Sequence, residues 1–156
     1  MKPLDTPPPS TTQLGDWHAN LVHVGRQQFV LMVSEHTFLP IVIEAAPISD
    51  LLPRFSITLL KVLLSLEIPQ GDIDRELAEL ETMHVAKTAN RQVTGVVVDH
   101  ERMLDVYVEN ALTPLEMSVA FAGVPCGPLY KRHVFPDRET RALFGFDAVG
   151  WERGRE

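Results

Sequence analysis

Lys87-Thr88-Ala89-Asn90-Arg91 places two cations, a hydroxyl and a capping amide within five residues, just ahead of the apolar run that begins at Val93. With Asn90 as the N-cap of a helix, the first-turn amides and the positive end of the dipole converge with Lys87 and Arg91. That arrangement suits a carboxylate or a phosphate. A structural role is equally physical: the two cations pair with carboxylates such as Asp16 or Asp99 and tie a strand to a helix. The candidate binding residues are therefore Lys87, Thr88, Asn90 and Arg91, joined by Asp16, Trp17 and Asn20 at the first ordered strand. Trp17 is expected to anchor the core, with Asp16 and Asn20 as polar partners for its indole N–H.

Other chemistry-bearing residues are poorly spaced. Six histidines invite a metal hypothesis, but His18 and His23 lie five apart, on opposite faces of a strand, and no HxH, HExxH or Cys/His cluster occurs. Cys126 sits between Pro125 and Gly127, with Lys131, Arg132 and His133 downstream as an electropositive setting. A nucleophilic thiolate needs such a setting and a base within reach, whereas a lone cysteine more commonly packs as a small hydrophobe. Ser34 and Ser118 lack a nucleophile-elbow context, and no glycine-rich phosphate loop is present. No catalytic residue, metal ligand or cofactor is assigned.

The elements that must position these residues belong to a single domain. The 156-residue chain is 45% hydrophobic and 22% charged, a soluble globular composition large enough for one core. Its net charge of −7 disfavours nucleic acid as a partner, because that affinity rests on phosphate neutralisation. No apolar run reaches the roughly 20 residues of a membrane span. A proline-rich start without an apolar centre and a single cysteine lead to the expectation of a cytoplasmic protein.

Residues 1–13 are expected to form a loosely attached arm, 14–146 one globular domain and 147–156 a frayed tail. Three strand-like runs, 17–24, 28–34 and 38–44, are separated by short turns and predict an antiparallel meander. Pro40 marks the third as an edge or bulged strand. Residues 51–66 predict a central buried helix on the spacing of Leu52, Phe55, Leu59, Val62, Leu63 and Leu66, widened by Ile57, Leu60 and Leu64. A second helix is expected from an Asp72 cap, with Ile73, Leu77 and Leu80 inward and Asp74, Glu76, Glu79 and Glu81 outward. Residues 83–87 read as a short fourth strand. Over 90–110 a helix and a hairpin compete, and the valines favour the hairpin on local propensity. Thr113-Pro114-Leu115-Glu116 is a capping box with Leu112 and Met117 as its hydrophobic staple. A last helix is expected from Asp137 to Phe144, closed by Gly145.

The segments Leu14-Gly15-Asp16-Trp17-His18-Ala19-Asn20 and Lys87-Thr88-Ala89-Asn90-Arg91-Gln92-Val93-Thr94-Gly95 resemble a family of small bacterial domains of unknown function. Its members share an L-G-D-W-x-A-N start and a later K-T-x-N-R-S-V-x-G segment, and the resemblance spans roughly residues 14 to 110. It implies a helix after Asn90. Gln92 replaces the family serine, and Val96 and Val98 replace polar residues, while Asp99 is retained. An activity that used those polar groups would be altered here. The family supplies no reaction, substrate or cofactor.

The reading is an α+β domain with a small, mostly antiparallel sheet of three to four strands packed against several helices. Its expected role is a cytoplasmic binding module with an anion site at a helix N-terminus near Asn90. The alternatives are an enzyme acting on a small anionic substrate, with Asp16, Asp99 or His18 as acid or base, and an antitoxin-like regulatory partner in a bacterial protein pair. The expected partners are a small anionic ligand, a protein partner or a second copy of the chain.

Overall fold

The computed structural model describes residues 12–80 and 91–147. Strands β1 (Trp17–Val24), β2 (Gln27–Ser34) and β3 (Pro40–Glu44) form an antiparallel sheet in the order β1-β2-β3. Gly25 and Arg26 make the first connection: Val24 pairs with Gln27, and Gly25 takes a φ of +60°, the left-handed conformation a two-residue hairpin requires. Pro40 opens β3 on an edge of the sheet, where its missing N–H costs no ladder bond. The fourth strand expected over 83–87 lies outside the described residues.

Both faces of the sheet are covered, which explains the unbroken apolar runs of β2 and β3. The two-residue period sends Val30, Met32, Ile41 and Ile43 into one layer and Phe29, Leu31, Val33 and Val42 into the other. Helices α1 (Leu51–Ser65) and α2 (Gln70–Glu79) cover the first layer; α3 (Arg91–Glu109) covers the second. Helix α4 (Pro114–Ala122) packs along β3 and contributes Ala122 to one core, Met117 and Phe121 to the other. Helix α5 (Pro136–Leu143) follows. Each fully buried Leu, Ile or Phe among these contributes roughly 1.5–3 kcal/mol. The result is an α+β domain with helices on both faces of a small antiparallel sheet.

α1 is central to its layer, with Phe55, Leu59, Val62 and Leu63 buried. Leu52, Ile57 and Leu64 do not extend that stripe: they are exposed, because a flat sheet can cover only one side of a helix. α2 begins two residues before the expected cap, with Pro69 as its N-cap and Asp72 in the first turn. Glu76 points inward rather than outward, and the residue is 2% exposed. The sequence contains the signal: Glu76 stands three residues after Ile73, on the stripe that continues to Leu80.

The 91–109 stretch is helical, against the strand propensity of its valines. Val93, Val96, Val97, His100 and Leu104 fall on one face and bury against β1 and β2. Their combined burial exceeds propensity differences of under about 1 kcal/mol per residue. In α4 the capping box is formed, with Glu116 N–H donating to Thr113 Oγ1 at 3.1 Å and Thr113 N–H to Glu116 Oε1 at 2.9 Å. α5 starts at Pro136, one residue earlier than expected, with Asp137 inside the first turn. Gly145, at φ +88°, ends it: Phe146 N–H donates to the Arg141 carbonyl and Gly145 N–H to that of Ala142.

Candidate functional site

Of the residues singled out by type and spacing, Asp16, Trp17, Asn20 and Arg91 are described; Lys87, Thr88 and Asn90 lie outside the described residues. Arg91 is the first residue of α3 and is exposed, as are Gln92, Thr94 and Gly95. No acidic side chain occupies the first turn of this 19-residue helix. Its dipole therefore meets no carboxylate from its own first turn.

Strand geometry separates the other three. Trp17 and Asn20 are three residues apart, so they project to opposite faces of the sheet. Trp17 turns toward α1 and packs edge-on against Phe55, ring centroids 5.0 Å apart and planes at 75°. Its Nε1 is buried, and no described residue accepts from it. Asn20 turns toward α3, where its amide donates to the Glu101 carboxylate. Glu101 is ten residues along the helix from Arg91, about 15 Å at 1.5 Å per residue. Asn20 therefore braces the middle of α3 and stands well away from its N-terminus. Asp16 leaves its side chain exposed and uses its backbone carbonyl to accept Glu35 N–H at 2.8 Å.

The Leu14-Gly15-Asp16-Trp17 segment is instead the centre of a buried polar clasp. Glu76 of α2 accepts from two successive amides, Gln13 N–H at 2.8 Å and Leu14 N–H at 3.1 Å. The Leu14 carbonyl accepts from Ser34 Oγ at 2.7 Å. Ser34 lies 3.4 Å from Thr37 Oγ1, which accepts from Thr140 Oγ1 of α5 at 3.0 Å. All three hydroxyl residues are fully buried. His36 Nδ1 lies 2.8 Å from the Gln13 carbonyl, which makes that nitrogen the donor. Gly15 has a φ of +80°, and a Cβ there would stand 2.8 Å from the His36 ring. A glycine is required on both counts. Burial raises the Glu76 carboxyl above its usual range, against the lowering effect of the two amides and of His36. The clasp also holds Gln13, within the arm expected to be loose.

Two side chains with nucleophilic or acid–base character, Cys126 and His100, are packed away. Cys126 is buried, and desolvation pushes its thiol up to about 11, the reverse of what a nucleophile needs. His100 packs against Phe121 at 4.5 Å between ring centroids, its Nε2 without a described partner. Burial lowers it to about 4, so the ring is neutral. Val96, which replaces a polar residue of the family pattern, is 5% exposed and serves the core, whereas Val98 is exposed. Among the described residues no group of three His, Cys, Asp or Glu side chains is placed to hold a metal ion. An open depression of about 250 Å³ at the hairpin end of the sheet is lined by Arg26, Gln28, Phe29 and Glu44 and includes none of the candidate residues. No described helix is long and apolar enough to cross a membrane.

A family described as a domain of unknown function (DUF6933) matches residues 1–139, and the chain belongs to that family. The matched span takes in residues 14–20 and 87–95 and continues past residue 110 through the first half of α5. No curated protein and no solved structure matches the chain.

Proposed function

We propose that this member of the DUF6933 family is a binding module rather than a catalyst, and that its ligand is a small anion held at the start of α3. Arg91 of the first turn is exposed, and Lys87, Thr88 and Asn90 directly precede it in sequence. The observation that carries the reading is the first turn of α3: a 19-residue helix presents exposed residues there and no acidic side chain. A carboxylate or phosphate complements that end of the dipole, and the two cations add charge and hydrogen-bond donors. Of the groups the enzyme alternative calls on, Asp16 precedes β1 and Asp99 lies along α3, both exposed. Cys126 and His100 are buried in their neutral forms and offer it no further group. We place the module in the bacterial cytoplasm, where a buried free thiol persists.

Thermal-shift screening with inorganic phosphate, nucleotides and dicarboxylates tests the reading. A ligand that binds only the folded chain raises its melting temperature, and the shift disappears in the Lys87→Ala/Arg91→Ala double variant. A shift that survives the double variant overturns the site, and an absence of any shift overturns the ligand class.

A further inference from the structure

The two edges of the sheet are finished differently. Along β3 lies α4, whose Ser118 hydroxyl accepts the Val42 amide at 2.8 Å. Beside β1 there is no strand among the described residues. The ladder fixes which groups that edge offers. Glu35 N–H donates to the Asp16 carbonyl, and Asp16 stands one place before the Trp17–Ser34 pair. Hydrogen-bonded pairs alternate along an antiparallel ladder, so the even-numbered residues of β1 turn their backbone groups toward β2. Trp17, Ala19, Leu21 and His23 turn theirs outward.

Within β1 itself, none of the charges or prolines that blunt natural edges is present. Trp-His-Ala-Asn-Leu-Val-His-Val contains no Lys, Arg, Asp, Glu or Pro. Leu21, next to the strand midpoint, is 50% exposed. The chain carries a net charge of −7, so two copies meet with least repulsion along a strand that carries no charged side chain.

We infer that β1 is the seam of a homodimer, pairing antiparallel with β1 of a second copy across a two-fold axis at Leu21. Two three-stranded sheets then become one of six strands. A two-fold seam keeps paired side chains on one face only when it is centred on a residue. The two residues at the strand midpoint are Asn20, whose side-chain amide is held by Glu101, and Leu21, whose apolar side chain is 50% exposed, so the seam is centred on Leu21. Leu21 then faces Leu21 of the partner subunit, and Ala19 faces the partner's His23. Growth stops at two copies because α4 closes the other edge of each sheet. The seam is separate from the anion site and stands or falls independently of it.

Sedimentation of the full chain, combined with amide exchange, tests the seam. The wild type is expected at twice 17.5 kDa, with the Ala19, Leu21 and His23 amides protected. Leu21→Pro removes an outward N–H and no β1–β2 ladder bond, so a folded monomer at 17.5 kDa is expected. Leu21→Lys puts a charge on the seam and is expected to give the same mass; it carries the test alone if the proline variant unfolds. A wild type that stays monomeric overturns the proposal. If those amides are nevertheless protected, a segment of the same chain fills the edge. A dimer that persists in Leu21→Lys, or that forms with the β1 amides unprotected, also overturns it.

Discussion

Ser118 closes the outer edge of the sheet at Val42. Its hydroxyl accepts the Val42 amide at 2.8 Å and has the Pro114 carbonyl at 2.8 Å as its acceptor, so one side chain serves both a strand edge and the first turn of α4. Ser118 is fully buried, and no solvent replaces it. Ser118→Ala leaves the Val42 N–H buried without a partner and is expected to cost about 1–3 kcal/mol. Urea unfolding measures this. A loss of less than about half a kcal/mol would show that the amide finds another acceptor.

Glu76 binds the start of the domain to α2. Glu76→Ala removes the acceptor of two amides, Gln13 and Leu14, and is expected to cost about 2–4 kcal/mol. The pH dependence has a definite sign. The folded-state pKa is raised, so the folded chain holds the proton more tightly than the unfolded chain does. That contribution is present below the ordinary carboxyl value of 4.5 and is lost as pH rises through the folded value. Comparing unfolding of wild type and Glu76→Gln across the mildly acidic range isolates it. Parallel pH profiles for the two proteins would refute the assignment.

His100 acts in the opposite direction. Its folded pKa is depressed from 6.5 to about 4, so its contribution is complete above 6.5 and is lost as pH falls toward about 4. The full loss is on the order of 3 kcal/mol, from about 1.4 kcal/mol per pKa unit. His100→Phe keeps an aromatic ring against Phe121 and has no proton to gain. It is expected to shift the acid-unfolding midpoint to lower pH while changing stability little at neutral pH. An unchanged midpoint would show that other groups drive acid unfolding.

The sequence by itself determined the strands, the ends of several helices and the identity of the family. Those features are local. The short strand-forming runs and turns in residues 17–44, the capping box at Thr113 and the glycine behind α5 act through near neighbours, so their residue types suffice. Tertiary structure decided what distant segments do to one another. The valines of α3 favour a strand until a sheet face is present to bury them. Glu76 looks like surface charge until the amides of Gln13 and Leu14, more than 60 residues away in sequence, require an acceptor. Ser118 is an unremarkable helix serine until Val42 lies beside it. Trp17 and Asn20 look like one site until the sheet places them on opposite faces. Leu14-Gly15-Asp16-Trp17 emerges as a fastening between the start of the domain, α2 and α5.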